Sequence, residues 1–214
     1  MATDTSRPDA IKPEGNPGFP EGDSGVAMLH RMNAGNHELL STWGLGKLEV
    51  PADARCLDIG CGGGANLLRL LELAPDGHVT GIDHSACAVA TSRETCAEAI
   101  AQGRADVLEG SADDLPQGSE SLDVVTAFET IYFWPDFAAA LAEIRRVLKP
   151  GGAFFICNED DGESEAMQAF VASRDDMRTY TEAQLREALA AAGMREVSVY
   201  RKPEIGYLCA IARA

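Results

Sequence analysis

The run Cys56-Leu-Asp-Ile-Gly-Cys-Gly-Gly-Gly-Ala65 carries a short apolar stretch into a cluster of glycines. Such a cluster lets the backbone turn sharply at the end of a strand and lets a ligand approach its N–H groups. The spacing Gly60, Gly62, Ala65 also suits a dinucleotide pyrophosphate. Asp58 weighs against that ligand, because a carboxylate two residues before the first glycine gains nothing from a diphosphate and attracts an ammonium or sulfonium. Cys61 falls inside the same turn. Asp83 closes a second apolar run, Val79-Thr-Gly-Ile-Asp83, with His84 beside it. A carboxylate at that sheet edge can accept both hydroxyls of a ribose. Gly110-Ser-Ala-Asp-Asp-Leu-Pro116 follows a third run, where backbone amides around Ala112 and one side chain can read an adenine ring. Asp114 reads as part of a solvated turn.

These residues have to be held by strands that end at one edge. Ala54 to Gly60, His78 to Asp83, Ala105 to Gly110, Leu122 to Phe128 and Ala153 to Asn158 read as strands. Between them lie helical patterns at Asn66 to Leu73, from the N-cap Ser85 to about Gln102, and at Pro135 to Leu148. Lys149-Pro-Gly-Gly152 reads as the turn into the fifth strand. Strands separated by helices of this length pair in parallel through right-handed crossovers, with both faces covered. A capping box, Thr181-Glu-Ala-Gln184, opens a further helix that stops at Gly193. Glu196 to Lys202 and Gly206 to Ala212 then read as strands joined by Pro203-Glu-Ile, too short for a parallel crossover, so the last strand runs antiparallel. The expectation is an α/β, Rossmann-like, doubly wound and mostly parallel seven-stranded sheet. Before it, residues 1–25 alternate proline and glycine and read as a flexible surface tail. Residues 26–46 read as a short helical cap on a domain running 26–214.

Taken together, the motifs resemble the class I S-adenosylmethionine-dependent methyltransferases. Leu57-Asp-Ile-Gly-Cys-Gly-Gly-Gly64 is similar to that family's first motif, Ile82-Asp83 to its ribose-binding acid, Gly110 to Pro116 to its adenine loop, and Arg146-Val-Leu-Lys-Pro-Gly-Gly152 to the turn before strand five. The match runs in family order from about Arg55 to Asn158, and the reversed last strand fits as well. Ser111 stands where many members carry Asp, which leaves the adenine amine to Ser111 or Asp113. The resemblance implies S-adenosyl-L-methionine as cofactor, S-adenosyl-L-homocysteine as product and no metal. It implies cofactor contacts from Asp58, Gly60, Cys61, Gly62, Asp83, His84, Ser111, Ala112, Asp113, Phe128 and Asn33.

Acceptor residues are sought after the fourth strand and in the N-terminal cap. Phe128-Glu-Thr-Ile-Tyr-Phe-Trp134 lies where the resemblance places the transferable methyl. There Glu129 and Tyr132 can orient a nucleophile or take its proton, and aromatic rings can attract the sulfonium charge. The alternative makes the aromatics core and Glu129 a cap or a ligand of the cofactor's amino group. Asn33 and His37, in Arg31-Met-Asn-Ala-Gly-Asn-His37, can be brought over the site. The segment from Asp160 to Tyr180 is placed to wall an acceptor pocket.

Against 18 Lys and Arg stand 34 Asp and Glu in 214 residues, a formal charge of -16. That field repels polyphosphates, so the acceptor expected is a small molecule rather than nucleic acid. Titration with tRNA or duplex DNA at moderate salt should give no affinity tighter than about micromolar, and tighter binding would contradict this reading. No apolar run reaches the ~18 residues of a membrane span, and the cytoplasm is the default location. Six scattered cysteines without a CxxC pair read as reduced and mostly buried rather than as a zinc site or disulfide framework. The function expected is methyl transfer to a small-molecule acceptor. The rivals are a non-catalytic S-adenosylmethionine-binding module and a nicotinamide-dependent oxidoreductase.

Overall fold

A computed structural model of the chain describes residues 16–214. Seven strands form one sheet: β1 (Arg55–Ile59), β2 (His78–Asp83), β3 (Ala105–Glu109), β4 (Leu122–Phe128), β5 (Leu148–Asn158), β6 (Arg195–Lys202) and β7 (Tyr207–Arg213). Their order is β3-β2-β1-β4-β5-β7-β6. The first five pair in parallel, and β7 runs antiparallel to both β5 and β6. The helices are α1 (Gly22–Met32), α2 (Asn36–Leu45), α3 (Ala65–Leu73), α4 (Ala86–Thr95), α5 (Ala97–Ala101), α6 (Phe137–Val147), α7 (Glu165–Ala172) and α8 (Glu182–Ala191). The doubly wound sheet expected from the sequence is thus present, with its reversed final strand.

Successive strand residues point to opposite faces, and here both faces are apolar. On β5, Phe154 and Ile156 join one core with Leu141 and Ile144 of α6 and Leu185 and Leu189 of α8. Phe155 and Cys157 join the other, with Leu40 of α2 and Leu67 and Leu70 of α3. Side-chain caps fix where helices start. Ala88 N–H donates to Ser85 Oγ at 3.1 Å, Ala139 N–H donates to Asp136 Oδ1 at 2.9 Å, and Thr181 with Gln184 closes the capping box of α8. Five of the six cysteines are buried, Cys87 is partly so, and all are free thiols. Among the described residues no helix is long and apolar enough to cross a membrane.

Three elements differ from the sequence reading. Residues 1–15 of the expected tail lie outside the described part, but α1 begins at Gly22, inside the stretch assigned to that tail. Gly25 makes this possible by close approach, since a Cβ there would lie 2.9 Å from the Pro20 carbonyl carbon. The helix expected from Ser85 to about Gln102 is broken at Cys96, whose backbone (φ −99, ψ 15) leaves the helical region and whose Sγ reaches the Gly64 carbonyl at 3.6 Å. Lys149-Pro-Gly-Gly152, expected as a turn, is drawn into β5 as a bulge. The β4–β5 register jumps there from Leu122–Leu148 to Val124–Ala153, with Gly151 at φ +80.

Candidate active site

Strand order reverses between β1 and β4, and the crevice at the carboxyl ends of those strands is where an open sheet of this kind receives a ligand. The loop after β1 enters it with Gly60, Gly62 and Gly64 at φ +73, +54 and +86, conformations that side chains other than glycine rarely adopt. Gly60 is also held by packing, because a Cβ there would lie 2.1 Å from Thr130 Oγ1. Three elements grip the loop. Gly62 N–H donates to Asp83 Oδ2 at the end of β2 (3.0 Å), Ser92 Oγ of α4 donates to the Gly62 carbonyl (2.8 Å), and Asn33 Nδ2 donates to the Gly63 carbonyl (2.9 Å). Asn33 therefore touches the glycine loop, and Ser92 is a supporting residue that the sequence reading missed.

A first cavity over this loop is lined by most of the predicted site residues: Gly60, Cys61, Gly62, Asp83, His84, Ser111, Ala112, Asp113, Phe128, Glu129, Asn33 and His37. Asp58 and Tyr132 are not among its lining residues. Asp58, the penultimate residue of β1, is 1% exposed and accepts a hydrogen bond from Thr126 Oγ1 of β4 at 2.6 Å. Burial pushes its carboxyl up to about 7, against the Thr126 hydroxyl and with a smaller push from the Asp83 charge. The structure thus places the Asp58 carboxyl inside the sheet against Thr126 and outside the lining of the first cavity. Its linkage to folding is testable. With a folded value near 7 and an unfolded value of about 3.9, the protonated form stabilises the fold below pH ~4, and on the order of 4 kcal/mol is lost as pH rises through 7. Asp58→Asn keeps an acceptor for Thr126 and removes that titration. Its melting temperature should accordingly fall less than the parent's between pH 5 and 8.5, whereas parallel profiles would contradict a buried, raised Asp58.

Asp83 is 9% exposed. Besides Gly62 N–H it accepts Ser85 N–H at 2.9 Å, and each carboxylate oxygen keeps a further lone pair for a donor from the cavity. His84 donates from Nε2 to the Gly18 carbonyl at 2.6 Å and stacks on Phe19 at 5.1 Å between centroids. Ser85 Oγ donates to the Pro20 carbonyl at 2.6 Å. Residues 17–20 consequently strap the mouth of the cavity to the end of β2, and Pro17, Gly18 and Pro20 line it. In the loop after β3, Ser111 Oγ donates to Asp113 Oδ1, so the two candidates for reading an adenine amine sit together. Asp114 is exposed, as expected of a turn residue.

Glu129 stands at φ +57 immediately after β4, with its N–H still on the Cys157 carbonyl at 3.0 Å. A left-handed non-glycine residue costs about 1 to 3 kcal/mol and persists only where surroundings dictate it. Tyr132 Oη donates to Glu129 Oε1 at 3.3 Å and accepts Asp160 N–H at 3.3 Å, while Glu159 N–H donates to the same Glu129 oxygen. Burial, then the neighbouring Glu159 charge, holds the Glu129 carboxyl well above the usual carboxylate range. Tyr132 is likewise pushed up, by burial and by Glu129, so its phenol stays protonated and donates to Glu129.

A second cavity of about 690 Å³ adjoins the first. Pro17, Met32, His37, Glu129 and Phe133 line both. Its other walls include Met28 and Arg31 of α1, Tyr132, Glu159 and Asp160 after β5, and Met167, Met177 and Thr179 from the segment that the sequence reading placed beside an acceptor. The methionines were not singled out as site residues, because Met28 and Met32 at helical spacing read as ordinary packing positions.

The ionisable groups of the first cavity decide what it can hold. Asp83, Asp113, Glu129 and Asp136 are acidic, against Arg69, His37 and His84. A diphosphate would meet more carboxylates than cations there, whereas a ribose with a sulfonium and an ammonium matches the set. Among the described residues no group of three or more His, Cys, Asp or Glu side chains is placed to hold a metal ion.

Comparison with known proteins agrees with this geometry. Residues 57–156 match a family model described as a methyltransferase domain. A demethylmenaquinone methyltransferase of Listeria monocytogenes is 35% identical over 106 residues, covering 49% of this chain and 44% of that protein. The chain spans about half the length of the curated relatives it matches. Among solved structures, the methyltransferase bound to the Trm112 activator of Haloferax volcanii superposes with a TM-score of 0.76 at 24% identity, over 90% of this chain and 95% of that one. Phosphoethanolamine N-methyltransferase 2 of Haemonchus contortus, solved with S-adenosyl-L-methionine, gives 0.76 at 18% identity over 90% and 57%.

Proposed function

We propose that this chain moves a methyl group from S-adenosylmethionine to a small-molecule acceptor, a reading supported by the methyltransferase-domain match over residues 57–156 and by a fold shared with solved methyltransferases. The observation that carries this reading is the pair of adjoining cavities meeting at Glu129, Phe133, Met32 and His37. The first would hold the cofactor, with Asp83 accepting the ribose hydroxyls, Ser111 or Asp113 and the backbone at Ala112 reading the adenine, and the glycine loop closing beneath. The second would hold the acceptor.

Bound there, S-adenosylmethionine supplies a carbon already activated by sulfonium, so the chain has chiefly to position a lone pair and exclude water. Pro17, Gly18, Pro20 and Phe133 line the first cavity and narrow the space left to water. Glu129, oriented by the Tyr132 hydroxyl and the Glu159 amide, faces the junction and can accept the proton the acceptor gives up. Calorimetry with S-adenosylhomocysteine and with NADH separates this reading from an oxidoreductase. S-adenosylhomocysteine alone should bind, and saturable NADH binding without it would overturn the assignment.

A further inference from the structure

The second cavity has a marked chemical asymmetry. Four of the chain's six methionines, Met28, Met32, Met167 and Met177, line it, giving an apolar and adaptable wall suited to a flat or irregular hydrophobic body. Glu129, Glu159 and Asp160 also line it, close together: Tyr132 bridges Glu129 to the Asp160 amide, and Glu159 donates its own amide to Glu129. Glu159 and Asp160 line this cavity and not the first, so the sulfonium of a bound cofactor does not account for them. The basic residues of the cavity, Arg31 and His37, come from the N-terminal helices, and Arg31 is exposed. An anionic acceptor beside these acids would be repelled, and a neutral hydroxyl would gain no charge pairing; a cationic head pairs with Glu129 and Glu159, Asp160 Oδ1 being already held by the Gly162 amide and the Thr179 hydroxyl.

Building on the methyltransferase reading, we propose that the acceptor is an apolar molecule bearing an amine, seated with its nitrogen at Glu129 and its body against the methionines. The ammonium gives one proton to the Glu129 carboxylate, which frees the nitrogen lone pair. That pair forms the new N–C bond as the sulfonium S–C bond breaks and its electrons stay on sulfur. The products are a methylated ammonium, a neutral thioether and a protonated Glu129 that returns its proton to solvent.

Three probes share one skeleton and differ in the head group: tryptamine, tryptophol and indole-3-propionate. Each is titrated by calorimetry into the chain saturated with S-adenosylhomocysteine, whose own binding is measured first. Tryptamine should bind at least ~10-fold more tightly than tryptophol, with indole-3-propionate weakest, as expected when a charge-assisted bond replaces a neutral one. In Glu129→Gln the amine and alcohol should converge. Glu159→Gln, which leaves the residue after β4 untouched, should weaken tryptamine in the same direction. Equal or tighter binding of the alcohol or the acid, or no tryptamine binding up to millimolar concentration, overturns the amine assignment. Loss of S-adenosylhomocysteine binding in the parent would instead remove the methyltransferase reading itself.

Discussion

Glu129→Gln should cut turnover by ~100-fold or more while changing S-adenosylhomocysteine affinity less than about threefold. Glutamine keeps a carbonyl oxygen for the Tyr132 hydroxyl and the Glu159 amide that now meet on Glu129 Oε1, so the local hydrogen bonding survives and only proton acceptance is lost. The pH profile carries a second signature. Burial, reinforced by the Glu159 charge, raises the Glu129 carboxyl well above its ordinary range. Protonated Glu129 cannot accept a proton, so parent turnover should climb with pH along a limb displaced above the usual carboxylate values, and the limb should vanish in Glu129→Gln. Steady-state rates from about pH 5 to 9 and one binding titration suffice. An affinity loss of tenfold or more would move Glu129 to the cofactor's amino group, and parental turnover with parental affinity would leave it a structural residue.

The second large effect belongs to Asp83. Asp83→Asn should weaken S-adenosylhomocysteine by roughly 30- to 1,000-fold, the equivalent of about 2 to 4 kcal/mol for charge-assisted bonds to two ribose hydroxyls partly recovered by water. The sequence alone suggests that removing this side chain spares the fold. The hydrogen bonds argue otherwise, because Asp83 also accepts Gly62 N–H and Ser85 N–H, and Asp83→Ala would leave both without an acceptor at a site that is 9% exposed. In Asp83→Asn one of the two oxygens becomes an NH2 donor facing a backbone N–H, so thermal melting should show both variants less stable than the parent, with both weak in binding. Affinity within threefold of the parent in Asp83→Asn would remove Asp83 from the cofactor site.

Local signals in the sequence were enough for the sheet, because glycine or proline punctuation bounds the strands and three of the helices carry side-chain caps, at Ser85, Asp136 and Thr181. The lining of the first cavity was legible for the same reason: glycines and Asp83 sit at strand ends, and strand ends of a parallel sheet share one edge. The burial of Asp58 was not legible, since its spacing to Gly60 says nothing of Thr126, 68 residues away, which holds it inside the sheet. The second cavity was only partly legible. Its walls come from α1, the residue after β4, the turn after β5 and the segment around α7, and none of Met28, Met32, Met167 or Met177 differs in type or spacing from a packing residue. The break at Cys96 escaped because it depends on a carbonyl of the glycine loop.

The most direct test of the central claim, that adjoining cavities bring a methyl donor and a small acceptor together, is incubation of the chain with S-adenosylmethionine labelled in its methyl group and a pool of small metabolites. Label should appear in a small-molecule product, with one S-adenosylhomocysteine formed per methyl transferred and with Glu129→Gln strongly depressed. Tight S-adenosylhomocysteine binding without label transfer to any component of such pools would contradict the claim and leave a binding module.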